Sequence, residues 1–223
     1  MLPGWKVVGA TGIIIREGEP LGKIDGIDLV NWKSNTLSQR SKNLTTLSAL
    51  YTIAETMLKD KNYSSKVLPD KDELKSAYQR VADFWRICLS RVEVFQQYLA
   101  LTKEDRPVSR LREENLLMKP VTQMALAHAA LFADRHGIEW EAVAEKLNQI
   151  DWRFDNTMWF NILVIGSANK KMITGKESIR SAGAVITYMV MGEYMNRTEL
   201  ADVREIIRNA RNDGNAELPP RVM

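Results

Sequence analysis

Cysteine, glycine, proline and long apolar runs are all scarce in this sequence. The single cysteine, Cys88, cannot form a disulfide within the chain, which favours a reducing compartment. Twelve glycines and seven prolines among 223 residues fall below the average usage of about 12% for the two together. Turn-forming residues are therefore too few for a β-sandwich or a β-barrel. The longest nearly apolar stretch, residues 182–192, is much shorter than the roughly 20 residues that span a bilayer.

The remaining composition is typical of a globular chain. Hydrophobic residues make up 45% and charged residues 26% of the sequence, close to the averages for folded domains. The 31 basic and 28 acidic residues give a net charge of +3, which permits nucleic-acid binding without requiring it. No signal-peptide pattern follows Met1. We therefore expect a cytoplasmic protein with no membrane partner.

Composition divides the chain into three segments. Residues 1–30 hold half of the glycines and two short apolar runs, at residues 5–8 and 13–15, which predict a small N-terminal β-hairpin. Residues 31–212 carry apolar side chains at three- and four-residue intervals, which predicts a helical domain. Residues 213–223 are expected to form a mobile tail. The predicted fold class is mainly α: a multi-helix bundle with a small N-terminal β-hairpin.

Capping patterns predict where the helices begin and end. The first helix is expected to end near Lys59-Asp60, with Asn43 or Thr45 as its N-cap. Asp70 and Glu73 form a capping-box pattern that opens a helix of nearly thirty residues. Ser109 is predicted to cap a third helix, which Pro120 lies inside and should kink or divide in two. Further helix boundaries are predicted at Gly137, Ile138, Leu147, Thr174 (a second capping box) and Asn196 or Thr198.

Most catalytic and metal-binding patterns are missing. His128 and His136 match no common metal-ligand spacing, so structural roles are favoured for both. Glu177 follows Gly175-Lys176 where a phosphate-binding loop needs Ser or Thr. Cys88 lies on an apolar helix face, which argues against a nucleophile. These patterns indicate no enzyme activity, no metal site and no cofactor.

One pair of carboxylates has a spacing that could suit a catalytic or metal site. Asp151 and Asp155 could face each other one helical turn apart, as in a metal or general-acid site. Arg153 between them favours a simpler arrangement, in which an ion pair and hydrogen bonds hold the loop. An enzyme that uses both aspartates with a divalent metal is therefore the least favoured interpretation.

A first stretch, residues 29–54, contains basic residues and no acidic ones. It carries Lys33, Arg40 and Lys42 among serine, threonine, asparagine and glutamine side chains, the residue types that contact phosphates. A predicted helix start follows, and its dipole favours an anion. The alternative is an ordinary solvated loop whose hydroxyl side chains only cap the helix, and composition alone favours that alternative.

A second stretch without acidic residues spans residues 156–176. Its basic side chains, together with one that follows it, are Lys170, Lys171, Lys176 and Arg180. Large aromatic residues lie in or beside it and could stack on bases, although a core position is the more frequent role for such residues. These aromatic residues are Trp152, Trp159 and Phe160. Both stretches together make a nucleic-acid surface plausible.

Three ordered motifs resemble those of one protein family. They are residues 31–50 (NWKSNTLSQRSKNLTTLSAL), the Leu111–Asn115 segment that leads to His128 and Gly137, and residues 147–159 (LNQIDWRFDNTMW). The chain resembles the DGQHR-domain, or DNA sulfur modification (DndB), family over roughly residues 29–200. The Asp-Gly-Gln-His-Arg signature of that family is absent. We therefore expect the chain to correspond to the helical C-terminal part, as a truncated piece or a shortened relative.

The resemblance implies a role in bacterial DNA phosphorothioation, as a non-catalytic DNA-binding transcriptional regulator of the modification genes. It implies phosphate contacts by Lys33, Arg40, Lys42, Arg153, Lys170 and Lys171, and the charge pattern adds Lys176 and Arg180. Loop-shaping roles are expected for Asp151, Trp152, Asn156 and Trp159. The alternative is a protein-interaction or oligomerisation module that docks on other DNA-modification proteins or on a second copy of itself.

Overall fold

The computed structural model describes residues 23–24, 27–59, 70–166 and 169–222. The strands predicted at residues 5–8 and 13–15 lie outside the described residues. The chain divides into two compact units, residues 1–112 and 113–223, and each is described by itself. The domain boundaries predicted at residues 30 and 212 stay predictions. Helices dominate both units, which confirms the mainly α fold class.

The first unit combines short strands with three long helices. Its elements are β1 (Lys23–Ile24), β2 (Ile27–Asp28), β3 (Val30–Asn31), β4 (Thr45–Thr46), α1 (Leu47–Met57), α2 (Lys71–Arg91) and α3 (Glu93–Lys103). Strands β1 and β2 pair antiparallel, and β3 and β4 pair in parallel. Helix α4 (Ser109–Glu114) contains the boundary between the units.

Helix α1 begins later than the sequence predicted, and both predicted N-caps are wrong. The observed N-cap is Thr46, whose Oγ1 accepts the Ala49 N–H at 3.2 Å. The residues before it are extended, because the Leu44 and Thr45 N–H groups donate to the Leu29 carbonyl at 2.8 and 3.1 Å. Pairing with β3 therefore delays the helix start.

The long helix predicted from Asp70 is two helices. The Asp70–Glu73 capping box is present as predicted. Val92 then adopts an extended conformation and separates α2 from α3. The Gln96 side-chain amide donates to the Ser90 carbonyl, which the break leaves without a helical partner. The apolar periodicity continues across Val92, which is fully buried, so the sequence pattern gave no sign of the break.

The second unit begins within α4 and is mostly helical. Its elements are a 3₁₀ turn (Leu116–Met118), α5 (Pro120–Arg135), α6 (Trp140–Leu147), a 3₁₀ turn (Thr157–Trp159), β5 (Val164–Ile165), β6 (Lys171–Met172), α7 (Lys176–Met191), a 3₁₀ turn (Gly192–Tyr194) and α8 (Arg197–Arg211). Strands β5 and β6 pair antiparallel. None of the helices in the described part of the chain is long and apolar enough to cross a membrane.

Several predicted helix ends in the second unit are confirmed. Pro120 is the first residue of α5, where its missing N–H has no consequence. Gly137, with φ of +65°, follows the end of that helix in the left-handed region. Asn196 and Glu199 form the capping box of α8. The ends predicted from proline, glycine and asparagine are therefore the reliable ones.

The capping box predicted at Thr174–Glu177 is wrong. Helix α7 has Gly175 as its N-cap, and no side chain caps it. In this register Ser178 takes the third helical position, and its hydroxyl donates to the Ile162 and Ile173 carbonyls. The first turn of α7 is thereby tied to the preceding loop instead of being closed by Glu177.

Both histidines have the structural surroundings that the sequence predicted. A Cβ atom at Gly183 on α7 would lie 2.6 Å from the Cβ of His128 on α5, so the two helices meet closely there. His136 stacks on Phe132 with 4.1 Å between ring centroids. Within the described ranges, no group of three or more His, Cys, Asp or Glu side chains could hold a metal ion.

The C-terminal residues lie against α7 and the turn that follows it. The Val222 N–H donates to the Met189 carbonyl at 2.9 Å. An Arg221 guanidinium nitrogen is 3.8 Å from a Glu193 carboxylate oxygen. The mobility predicted for residues 213–223 stays a prediction, but these contacts define where the segment lies.

Candidate nucleic-acid interface

The first stretch without acidic residues forms a loop, residues 31–43, that leads from β3 to β4; we call it the 31–43 loop. Asn31 shapes its beginning from within. The Asn31 Nδ2 donates to the Thr36 carbonyl at 3.1 Å, and its Oδ1 accepts the Lys33 N–H at 3.1 Å. The short polar residues of this motif therefore fold the loop back on itself.

Two buried side chains hold the end of the 31–43 loop. The Arg112 guanidinium donates to the Asn43 carbonyl at 2.6 Å and to the Ser41 carbonyl at 3.4 Å. The Tyr98 hydroxyl donates to the Lys42 carbonyl. Burial raises the pKa of Tyr98 to about 12, so this donor keeps its proton at neutral pH. These two buried side chains thus fix three successive carbonyl groups of the loop.

Arg112 is a residue whose role the sequence analysis missed. Its side chain is 2% exposed, and burial lowers the pKa of its guanidinium. A charged group in such a position is held by hydrogen bonds, because an unsatisfied one would be very costly. The sequence offered one indication of this role, because Arg112 lies in the second of the three family-like motifs, near apolar residues such as Leu111 and Leu116.

The three cations predicted in this loop fall into two groups. Lys33 and Arg40 are exposed, and neither forms an ion pair with any described residue. Lys42 instead forms an ion pair with Asp105, and this contact lowers the pKa of the Asp105 carboxyl. Lys33 and Arg40 are therefore available to an external anion, whereas Lys42 already has a carboxylate partner.

In the second unit, Trp152 and Trp159 are core residues, the role that the sequence favoured over stacking on bases, whereas Phe160 is half-buried. Trp152 and Trp159 are buried and stack on each other with ring centroids 5.0 Å apart. Their indole N–H groups donate to the Leu147 carbonyl at 2.7 Å and the Asp151 carbonyl at 3.0 Å. Neither ring can stack on a base, and both shape the loop as the sequence predicted.

Arg153 is engaged by the neighbouring aspartates. Its guanidinium contacts Asp151 through Nε at 3.1 Å and Nη2 at 2.9 Å, and Asp155 lies 4.0 Å away. Arg153 lowers the pKa of the Asp151 carboxyl by hydrogen bonding to it. The ion pair predicted for this triplet is confirmed. Arg153 is therefore a weaker phosphate-contact candidate than the sequence suggested.

The remaining cations lie on the β5–β6 hairpin and the start of α7. Lys170 sits over the Phe160 ring, with its nitrogen 5.3 Å from the ring centroid. Lys171, Lys176 and Arg180 are exposed and have no ion-pair partner in the described part of the chain. Lys176 and Arg180 are four residues apart on α7, which places them on the same helix face.

Another anchoring arginine was missed in the second unit. Arg211, at the end of α8, donates to the Thr157 carbonyl at 2.7 Å and the Met158 carbonyl at 2.9 Å. In the opposite direction, the Asn161 side-chain amide donates to the Ala210 carbonyl at 2.9 Å. The end of α8 therefore holds in place the loop that contains the Ile-Asp-Trp-Arg segment of the third motif.

The fold and these side chains define a mainly helical protein with exposed cations that have no ion-pair partner among the residues the structure describes. A family model described as DndB, DNA-sulfur modification-associated, matches residues 23–192. The chain belongs to this family, and the resemblance drawn from its motifs is confirmed. No curated protein and no solved structure matches the chain.

Proposed function

We propose that this chain is a DNA-binding transcriptional regulator of the DNA sulfur modification system and has no catalytic activity of its own. The observation that carries the proposal is the set of exposed Lys and Arg side chains that lack ion-pair partners among the described residues, in a member of a DNA-modification family. Within the two stretches that lack acidic residues, these are Lys33 and Arg40 in the first unit and Lys171 and Lys176 in the second, with Arg180 shortly after the second stretch.

The pairing state of each cation decides how much it gains from DNA. A free, solvated Lys or Arg releases a condensed counterion from DNA when it meets a phosphate, and loses no protein contact. Lys42 and Arg153 would have to share or leave their carboxylates. Lys33 and Arg40 are therefore the stronger contacts in the first unit, and Arg153 is a minor one in the second.

The fixed backbone of the 31–43 loop supports the same proposal. Phosphate contacts set the register of a protein on DNA, which requires donors in defined positions. Asn31, Tyr98 and Arg112 hold the loop at both ends. Lys33 and Arg40 thus extend from a loop whose two ends are held in place.

Salt-dependent binding tests the proposal. Fluorescence anisotropy would be measured with a labelled duplex from upstream of the modification genes and with an unrelated duplex. For the Lys33→Ala, Arg40→Ala double variant, we expect the slope of log affinity against log salt to flatten by about 1.8, since each phosphate contact contributes about 0.9. The slope of a Lys171→Ala, Lys176→Ala variant should flatten similarly.

Lys42→Ala and Arg153→Ala are the matched controls, because they remove the same charge from positions that already have carboxylate partners. We expect each to change the slope by less than about 0.5, which is well below the value of about 0.9 for one full phosphate contact. Binding that is independent of salt, or equal losses in controls and test variants, would contradict the proposal.

The regulatory part needs a separate measurement. A reporter gene placed behind the upstream region of the modification genes should change its expression when the chain is supplied. The Lys33→Ala, Arg40→Ala variant should abolish that change while it accumulates to the same level. An unchanged response in this variant would contradict regulation through these contacts.

A protein-interaction module is the second candidate, and one observation favours it. Ile165 on β5 and Tyr194 after α7 are 53% and 51% exposed, and large exposed apolar side chains are frequent at protein interfaces. Light scattering and a pull-down with the other modification proteins test this candidate. Ile165→Ser and Tyr194→Ser should weaken any complex, and a monomer that captures none of those proteins would contradict it.

A further inference from the structure

The 31–43 loop carries a tryptophan on its surface. Trp32 is 43% exposed, whereas Trp85, Trp140, Trp152 and Trp159 are all at most 9% exposed. Tryptophan has the largest apolar surface of any side chain, so exposure in a well-held position indicates a contact with something else. The sequence analysis looked for stacking aromatics in the second unit, where the two tryptophans are core residues.

The backbone on both sides of Trp32 is held in place. Asn31, the preceding residue, pairs in β3 and bonds through its side chain to the Lys33 N–H and the Thr36 carbonyl. Thr36 in turn donates its N–H to the Ser34 hydroxyl at 3.2 Å. A closed turn therefore holds the indole at one defined position on the surface, where a ligand can contact it.

The charges around Trp32 select the kind of ligand. Residues 29–54 contain no acidic side chain, and Lys33 and Arg40 in the same loop are exposed without ion-pair partners in the described ranges. An apolar ring among cations and short polar groups matches the combination of base and phosphate in a nucleic acid. The core of a protein interface is instead depleted of charged residues such as lysine.

We propose that Trp32 stacks on an unpaired nucleobase while Lys33 and Arg40 contact the adjoining phosphates, so that the 31–43 loop binds single-stranded or locally unpaired DNA. This inference rests on the proposed DNA-binding function and specifies its ligand. The bases of an intact duplex are stacked on each other, and their faces are closed to a side chain. An unpaired base exposes the face that an indole covers.

Three labelled 20-nucleotide probes of one sequence test the inference with the full chain. They are a duplex, a single strand, and the same strand with abasic sites at its central positions, which keeps the phosphates and removes the bases. Stacking of one base contributes about 5- to 150-fold in affinity. We expect the intact strand to bind more tightly than the abasic strand by a factor in that range, and more tightly than the duplex.

Variants of Trp32 give the second readout. Trp32→Ala should reduce the affinity for the intact strand to that of the abasic strand and leave the salt slope unchanged, since no phosphate contact is lost. Trp32→Phe should restore most of the affinity, because a phenyl ring also stacks. Tyr194→Ala, which removes an exposed aromatic ring from the second unit, is the matched control and should bind as wild type does.

The outcomes separate this inference from the proposed function. Equal binding of Trp32→Ala and wild type to the single strand overturns the inference, and so does equal binding of intact and abasic strands. The proposed function stands in those cases if Lys33→Ala, Arg40→Ala still flattens the salt slope. Tighter binding of the RNA strand of the same sequence, or loss of self-association in Trp32→Ala by light scattering, also overturns it.

Discussion

The loop of residues 31–43 and the loop of residues 151–165 both overlap family-like motifs, but they are built differently. The first has its carbonyls bonded by the buried donors Arg112 and Tyr98. The second wraps around its own stacked pair, Trp152 and Trp159. The comparison shows that polar anchoring leaves the loop's aromatic residue on the surface, whereas aromatic anchoring buries it.

Removal of the aromatic anchor should have the largest effect. Trp159 is fully buried, so Trp159→Ala should lower the free energy of unfolding by about 4 kcal/mol, through lost burial, lost stacking and a cavity. Urea denaturation measures this change. Tyr194→Ala, at an exposed aromatic position of the same unit, should cost less than about 1 kcal/mol. Equal losses in both variants would contradict aromatic anchoring of this loop.

Removal of the polar anchor should be the next largest effect. Arg112→Met keeps the volume of the side chain but leaves the Ser41 and Asn43 carbonyls without their donor. We expect a loss of about 3 kcal/mol in urea denaturation. Arg106→Met is the control, because the exposed Arg106 side chain forms an ion pair with the nearby Glu104. A neutral Arg112→Met would mean that the 31–43 loop is held by other contacts.

Tyr98 gives the polar anchor a dependence on pH. Its pKa is raised from 10.0 to about 12 in the folded chain, so its contribution to stability is full below pH 10 and is lost between pH 10 and 12. In this window wild type should lose up to about 1.4 kcal/mol per pH unit relative to Tyr98→Phe. Denaturation at several alkaline pH values measures the difference. Parallel curves for the two proteins would contradict a buried, proton-donating Tyr98.

The smallest effect is expected at the exposed pair of the second loop. Arg153 lowers the pKa of Asp151 below its usual 3.8, so the stabilisation is present above about pH 4 and is lost as the pH falls through the lowered value. Because both side chains are well exposed, solvent screens the pair and the loss should be the smallest of the four. Asp151→Asn and Arg153→Met should both remove it from acid-denaturation curves. A variant that keeps the wild-type acid dependence would contradict the pairing.

Sequence patterns predicted those parts of the fold that depend on neighbouring residues. The capping box at Asp70, the N-cap at Asn196, the division of a helix at Pro120 and the stop at Gly137 are all set within one helical turn. The delayed start of α1 depends on Leu29, elsewhere in the chain, and the break at Val92 falls within an apolar periodicity that continues across it. Periodicity carries no information about such partners, and those two predictions were wrong.

The candidate site was predictable to a similar extent. Charge counting found Lys33 and Arg40, but it also included Lys42, whose partner Asp105 is 63 residues away in sequence. The Asp151–Arg153 pair is local and was predicted. Arg112 was overlooked as an anchor because its acceptors lie about 70 residues earlier, in a loop that no periodic pattern connects to it.

The anchoring of the 31–43 loop has a thermodynamic consequence for recognition. A loop that orders only on contact with its ligand loses conformational entropy at that step, which weakens binding. Here Arg112, Tyr98 and Asn31 already restrict the backbone in the free chain, so that entropy has been lost during folding. At one salt concentration, where counterion release is the same, calorimetry of the proposed DNA binding should therefore show a more favourable entropy for wild type than for a variant with a loosened loop. Arg112→Met, in which the same cations extend from such a loop, is that variant.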